Sequence, residues 1–211
     1  MKKYRFIHAT KTGGTALEVY FKENYSNIIF GTNHFARCGK YKNPIIVLRD
    51  PAERFVSMFN YWKYGSYRSS FPQNAKRVYE RSDEFVDKFK KVDINNFVSF
   101  IKNRNKCLRY KFTWIHHFKP QSFWYTGDLK KIIVILYKPD LQESVFKLFE
   151  ELKVENKQIP LMPRNVTKKR ENSFSYMNDD SLNWYFEYFA KDIDFYSSVK
   201  SKSHPFKLVI S

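Results

Sequence analysis

The chain has 211 residues with 38 Lys or Arg and 21 Asp or Glu, and its formal net charge is +17 when the histidines are neutral. Its 15 Tyr, 21 Phe and 4 Trp are too many large apolar side chains for a disordered basic tail. The length suits one domain over residues 1–211, with two small domains as the alternative. Two cysteines are too few for a disulfide framework, and neither a membrane-spanning apolar run nor a secretory signal is apparent, so we expect a cytoplasmic location with no membrane span.

Strands and helices are predicted to alternate in the first part of the chain. Short apolar runs predict strands at residues 4–8, 28–30 and 44–48, and an apolar stripe at helical spacing predicts a helix at 15–22. Asp50-Pro51 predicts the start of another helix, because Asp is a good N-cap and Pro is tolerated at the first helical position. This order predicts an α/β fold, with a single domain and a central parallel sheet flanked by helices.

The remainder of the chain is predicted to be mostly helical, with one further strand. The strongest strand signal is KIIVILY at residues 131–137. Helical patterns occupy residues 82–91, 94–106 with a continuation at 114–118, 139–152 and 179–190. A basic, Pro-containing loop is predicted at residues 158–175.

The segment Lys11-Thr12-Gly13-Gly14-Thr15 lies between the first predicted strand and its helix. Glycines let the backbone approach a ligand closely, and a helix N-terminus offers N–H groups and a positive dipole end. A tight turn without a ligand is the alternative, but the Lys and two Thr favour a phosphate cradle in a P-loop-like strand–loop–helix site. Nucleotide hydrolases place Lys after the second glycine of a longer motif, and this segment does not.

A second anion site is predicted at the end of the third strand. Arg49 lies at the carboxyl end of that strand, where open α/β sheets bind ligands. Helical spacing places Arg54, Ser57 and Tyr61 on one polar stripe of the helix that follows. Arg49 and Ser57 are therefore predicted to hold a second phosphate. The alternative is that Arg49 pairs with a neighbouring carboxylate while Ser57 faces water.

Two stretches resemble the motifs of a known family. HATKTGGTALEVYF looks like the 5′-phosphosulfate loop of sulfotransferases, and IIVLRDPAERFVSMFNYW looks like their 3′-phosphate-binding strand–helix element. These enzymes use 3′-phosphoadenosine-5′-phosphosulfate (PAPS), which carries phosphate at two separated points. The closest resemblance is to the small soluble branch related to carbohydrate O-sulfotransferases. Thr10 stands where that branch usually has Pro.

The resemblance implies a role for each matching residue. Lys11 would contact the 5′-phosphate and the bridging oxygen and assist the leaving group. The residues that would wrap the 5′-phosphate are Thr12, Gly13, Gly14, Thr15 and Ala16. Arg49 and Ser57 would bind the 3′-phosphate. A late basic stretch often closes over the nucleotide in such enzymes; the candidates here are Lys168, Lys169 and Arg170, for which a solvated charge run is the alternative.

A general base must take the proton of the acceptor hydroxyl, and histidine titrates in the right range. His34 lies between the two anion motifs, and the resemblance implies that a His in a comparable segment is the base. His8 is the second candidate, because it ends the first strand beside Lys11. Glu18 or Glu53 would serve if no His is within reach.

The resemblance therefore implies a PAPS-dependent O-sulfotransferase that needs no metal, with a carbohydrate as the expected acceptor. One alternative is a P-loop-type nucleotide phosphotransferase, which the spacing of the Lys disfavours. A second is a nucleic-acid-binding module, which a charge of +17 permits. A third is a protein that keeps the fold but has lost the activity. We expect no nucleic acid partner, because the aromatic residues fall mostly on predicted core stripes.

Overall fold

Five parallel strands form the framework of the first of two compact units in this chain. The computed structural model describes residues 2–31, 36–64, 91–103, 118–137, 141–157, 159–162, 174–201 and 207–210. The first unit comprises Met1–Pro51, Pro120–Arg164 and Lys191–Ser211, and the second comprises Ala52–Lys119 and Asn165–Ala190. A single domain over residues 1–211 stays a prediction.

The sheet confirms the predicted α/β fold with parallel strands. In chain order the strands are β1 (Tyr4–Ile7), β2 (Ile29–Gly31), β3 (Pro44–Leu48), β4 (Ile133–Leu136) and β5 (Leu208–Ile210). Their spatial order is β2-β1-β3-β4-β5, and each neighbouring pair is parallel. All carboxyl ends of the strands therefore lie at one edge of the sheet. Strand β5 was not predicted, because three residues at the end of a basic segment give almost no periodic signal.

Both faces of the sheet are covered, which explains why β3 is buried at all five of its residues. Successive side chains of β3 alternate between the two faces. Ile45 and Val47 pack in one apolar cluster with Leu17 and Phe149, whereas Ile46 and Leu48 belong to the other. The second cluster also contains Trp124 and Val199.

Six helices form within the described residues. They are α1 (Gly14–Asn24), α2 (Pro51–Lys63), α3 (Ile94–Lys102), α4 (Leu141–Leu152), α5 (Asp179–Tyr188) and α6 (Ala190–Lys200). The first five confirm predicted helices, and α2 begins at Pro51 as predicted. The prediction at residues 94–106 was too long, because α3 ends at Lys102. Helix α6 was not predicted, since its many polar residues give it little apolar periodicity.

The second unit has an aromatic core of its own. The ring centroid of Phe97 lies 5.7 Å from that of Phe55 and 5.2 Å from that of Phe59. The Phe55 ring also contacts Tyr185 at 5.3 Å. These rings are buried, as the predicted core stripes required.

Several predicted elements lie outside the described residues. These are residues 82–90 of the helix predicted at 82–91, residues 114–117 of the continuation predicted at 114–118, and residues 163–173 of the basic loop predicted at 158–175. Among the residues that the structure describes, no helix combines the length and apolar character needed to cross a membrane.

Candidate active site

The carboxyl ends of three adjacent strands, β1, β3 and β4, bring polar residues to one edge of the sheet. The loop that contains Lys11 follows β1, Arg49 follows β3, and Tyr137 follows β4. The backbone N–H of Tyr137 donates to the carbonyl oxygen of Leu48 at 2.8 Å, which extends the β3–β4 ladder to this edge. Open parallel sheets bind ligands at this edge.

The loop after β1 contains two residues in the left-handed region of backbone space. Gly13 has φ 78°, which glycine adopts at no steric cost. Lys11 has φ 64°, which costs a side-chain-bearing residue about 1–2 kcal/mol. A residue persists in such a conformation only when its surroundings hold it there, and strain of this kind clusters at functional sites.

The start of α1 is arranged to receive an anion. Gly13 is the N-cap, and none of the described side chains caps the helix. The N–H groups of the first turn and the positive end of the helix dipole therefore face the loop. Thr12 is fully buried, and its hydroxyl donates to the carbonyl oxygen of Ala9 at 2.8 Å. The hydroxyl of Thr12 thus stabilises the loop, and what Thr12 offers a ligand is its main chain.

Both glycines of the loop have close neighbours where a Cβ would lie. A Cβ on Gly13 would lie 2.9 Å from Cδ1 of Leu141 and 2.9 Å from Cε2 of Tyr137. A Cβ on Gly14 would overlap the imidazole ring of His8. Gly13 is therefore favoured chiefly by its backbone conformation, and Gly14 is required by packing.

His8 and Glu18 form a pair beneath the loop. Nε2 of His8 lies 3.1 Å from Oε2 of Glu18, and their side chains are 1% and 32% exposed. The His8 ring also stacks on Phe6 at a centroid distance of 5.5 Å. Glu18 packs against Gly31, where a Cβ would lie 2.9 Å from Cγ of Glu18. Of the pair, Glu18 is the member that faces solvent, at the end of β2, while His8 supports the loop from the core.

Arg49 links the third strand to the phosphate loop. Its Nη1 donates to the carbonyl oxygen of Lys11 at 3.1 Å. Its guanidinium also lies over the ring of Tyr137, 4.4 Å from the centroid, a distance typical of a cation–π contact. Arg49, Lys11 and Tyr137 therefore form one cluster at the sheet edge.

The main chain of Arg49 is held by a buried glutamine. The backbone N–H of Arg49 donates to Oε1 of Gln121 at 3.0 Å, and Nε2 of Gln121 donates to the carbonyl oxygen of Arg49 at 2.8 Å. The carboxylate of Asp192, which is fully buried, accepts from the backbone N–H groups of Gln121 at 2.6 Å and Ser122 at 2.8 Å.

A family model described as the sulfotransferase family matches residues 11–197, which is most of the chain. The chain belongs to the sulfotransferase family. The match begins at Lys11, at the start of the glycine loop, and ends within α6. No curated protein matches the chain. Family membership makes this protein a transferase of sulfuryl groups, and the resemblance found in its motifs is confirmed.

In this sulfotransferase, the polar stripe predicted on α2 is mostly buried. Ser57 is half-buried, but Arg54 is 1% exposed and Tyr61 is 6% exposed. Nη2 of Arg54 donates to the carbonyl oxygen of Lys119 at 2.9 Å within the second unit. The predicted stripe is therefore buried at Arg54 and Tyr61 and half-buried at Ser57.

The other predicted site residues of the sulfotransferase, His34, Lys168, Lys169 and Arg170, lie outside the described residues. Their roles stay predictions.

The cluster also contains residues for which the sequence suggested no role. Gln121 is the first residue of a short 3-10 helix, Gln121–Phe123, and Asp192 lies in a helix that was not predicted. Tyr137 was predicted only as the last residue of a strand. Its position beside the end of β3 is a consequence of strand order, which no local pattern reveals.

Proposed function

We propose that this sulfotransferase moves the sulfuryl group of PAPS to an acceptor hydroxyl. The observation that carries this proposal is the hydrogen bond between Nη1 of Arg49 and the carbonyl oxygen of Lys11, at 3.1 Å. It makes the two predicted phosphate-binding segments neighbours, as a donor with phosphates at two points requires.

The loop after β1 would bind the 5′-phosphosulfate. The residues proposed to wrap it are Thr12, Gly13, Gly14, Thr15 and Ala16, through their N–H groups and the dipole of α1. In the transfer step, a bond forms between the acceptor oxygen and sulfur while the bond from sulfur to the bridging phosphate oxygen breaks. Negative charge then grows on the 5′-phosphate, where the Lys11 ammonium would stabilise it.

Arg49 and Ser57 would bind the 3′-phosphate. A guanidinium carries several N–H donors in a planar fork, so Arg49 can keep its bond to Lys11 and still direct donors to a phosphate. Ser57 lies two helical turns into α2, the helix that begins just after Arg49. Lys168, Lys169 and Arg170 are proposed to close over the nucleotide.

His34 is the proposed base, which takes the proton of the acceptor hydroxyl as its oxygen attacks sulfur. The burial of His8 against Glu18 supports this choice over His8, since a side chain that is 1% exposed is poorly placed to meet an acceptor. If His34 is not the base, the half-exposed Glu18 is the next candidate.

A carbohydrate is the proposed acceptor, and an anionic one suits the charge of +17. The proposal includes no metal, because Lys, Arg and backbone N–H groups supply the positive charge that the reaction needs.

The first experiment tests the donor independently of the acceptor. We expect adenosine 3′,5′-bisphosphate to raise the unfolding temperature of the protein, and ATP with Mg²⁺ to have a much smaller effect. A protein stabilised only by ATP with Mg²⁺ would instead be a phosphotransferase. Steeply salt-dependent binding to DNA or RNA, without a response to the bisphosphate, would favour the nucleic-acid-binding alternative.

The second experiment uses labelled PAPS with a panel of neutral glycans, carboxylated glycans, tyrosine peptides and small alcohols. Lys11→Ala should abolish transfer, whereas Lys22→Ala, at the exposed far end of α1, should not. An active Lys11→Ala protein would overturn the mechanism. His34→Ala should retain affinity for the bisphosphate and lose turnover, and near-normal turnover would assign the base elsewhere.

A further inference from the structure

We infer that Gln121 and Asp192 are positioning residues of the nucleotide site, and that they act through Arg49. The inference rests on the proposed function, because it assumes that Arg49 contacts the nucleotide. It assigns a role in the reaction to a buried amide and a buried carboxylate that are remote in sequence from both phosphate motifs.

At the end of β3, the side chain of Gln121 makes the backbone hydrogen bonds that a neighbouring strand would otherwise make. The β3–β4 register ends with Leu48 opposite Leu136, so Arg49 is the first residue beyond the paired strand. The side-chain amide of Gln121 then satisfies both backbone groups of Arg49, at 3.0 Å and 2.8 Å. Gln121 itself is fully buried, so a substitution that removes its amide takes away the side-chain partner of both backbone groups of Arg49.

The amide of Gln121 is itself fixed in place. Oε1 must face the N–H of Arg49 and Nε2 must face its carbonyl oxygen, so only one orientation of the amide satisfies both groups. The hydroxyl of Tyr125 lies 3.4 Å from the same Oε1 and donates to the carbonyl oxygen of Val47 at 2.7 Å.

Asp192 fixes the main chain that carries the amide. Its carboxylate oxygens accept separately from the N–H groups of Gln121 and Ser122, at 2.6 Å and 2.8 Å. Hydrogen bonds to an ionised acceptor are stronger than neutral ones. Asp192 lies in the first turn of α6, so this bond connects the last helix to the residue that holds Arg49.

The consequence is a continuous series of contacts from α6 to the phosphate loop. The carboxylate of Asp192 accepts from the backbone N–H of Gln121, and the side chain of Gln121 donates to the carbonyl oxygen of Arg49. The guanidinium of Arg49 in turn donates to the carbonyl oxygen of Lys11. Lys11 is in the left-handed conformation that requires such support. A displaced Arg49 would therefore weaken its own contact with the nucleotide and release the loop.

The test is a double-mutant cycle on affinity for adenosine 3′,5′-bisphosphate. Gln121→Met, which is similar in size, should lower the affinity about tenfold in the wild-type background. In an Arg49→Ala background, the same substitution should cause little further loss, because the residue through which it acts is absent. A merely structural role would instead lower affinity equally in both backgrounds.

Gln142→Met is the matched control. Nε2 of Gln142 donates to the carbonyl oxygen of Ile159 at 3.2 Å, and its Oε1 accepts from the backbone N–H of Leu161. The control therefore removes the same kind of bidentate side-chain-to-backbone contact away from Arg49, and it should leave the affinity unchanged.

Asp192→Asn provides a milder second variant if Gln121→Met fails to fold. It keeps the size of the side chain but offers the two N–H groups only one acceptor. It should lower the affinity in the wild-type background and not in Arg49→Ala. Unchanged affinity, or equal losses in both backgrounds, would overturn the inference alone. Wild-type protein that does not bind the bisphosphate would overturn the proposed function and the inference with it.

Discussion

Nη1 of Arg49 donates a hydrogen bond to the carbonyl oxygen of Lys11 at 3.1 Å, although 38 positions separate the two residues. The bond connects the end of β3 to the strained loop after β1. It gives Arg49 a role in the shape of the phosphate loop as well as the proposed role at the 3′-phosphate.

Arg49→Lys should lower affinity for adenosine 3′,5′-bisphosphate by about 10- to 100-fold, the range expected when a charged hydrogen bond is lost. A Lys ammonium keeps the charge, but it cannot stack on Tyr137 and present a planar fork of donors together. Arg37→Lys is the control, because the guanidinium of Arg37 also lies over an aromatic ring, 3.9 Å from the centroid of Phe123. Titration calorimetry measures the affinity of both variants for the bisphosphate. An Arg49→Lys variant that binds as tightly as Arg37→Lys would contradict the role given to Arg49.

Lys11→Gly should separate stability from activity. A glycine at φ 64° relieves about 1–2 kcal/mol of backbone strain and loses roughly 0.5–1 kcal/mol to the greater freedom of the unfolded chain. The variant should therefore be as stable as the wild type or slightly more stable, yet lose sulfuryl transfer.

Lys153→Gly is the control for this prediction. Lys153 has φ 53° and is the first residue after α4, where the N–H of Val154 donates to the carbonyl oxygen of Phe149 at 2.9 Å. Glycine is the preferred residue at this position of a helix C-cap. Thermal unfolding should show a similar small increase in stability for Lys11→Gly and Lys153→Gly. Sulfuryl transfer should be lost only in Lys11→Gly. Normal transfer by Lys11→Gly would contradict the role of its ammonium.

Gly14→Ala should destabilise the protein by about 1–3 kcal/mol, because its Cβ overlaps the buried ring of His8. His8→Ala also destabilises the protein, since it removes a ring that packs on Phe6. In the double variant the new methyl group occupies part of the space left by the ring. The double variant should therefore lose less stability than the sum of the two single variants' losses. Urea unfolding of all four proteins measures this, and strict additivity would show that the two residues do not share the space.

Cys38 should be inert in the folded protein. Burial raises the pKa of its thiol from 9.0 to about 12, so almost no reactive thiolate exists at pH 8. In a Cys107→Ser variant, alkylation should be slower by roughly a hundredfold or more in the folded protein than in urea. Equal rates would contradict the burial of Cys38.

The same raised pKa predicts how stability depends on pH. Below pH 9 both states keep the proton, and the contribution to stability is fully present. Between the unfolded pKa of 9.0 and the folded pKa of about 12, the unfolded chain loses the proton that the folded protein retains. Stability should therefore fall with rising pH in this window, and it should fall less in Cys38→Ser.

The sequence alone predicted those features that depend on neighbouring residues. The apolar run of β3 and the start of α2 at Pro51 were both predicted at the correct residue. The glycine loop was predicted between the first strand and its helix, where the structure has it. Each of these follows from backbone preferences and from the period of apolar side chains, which act over a few residues.

The tertiary structure alone decided which polar groups meet at the sheet edge. Arg49 meets Lys11 because β3 lies beside β1, and it meets Gln121 across 72 positions of sequence. Asp192 reaches Gln121 across 71 positions, from a helix that the sequence pattern did not predict. A hydrogen bond depends on the spatial proximity of its partners, and strand order and helix packing set that proximity for residues far apart in the chain.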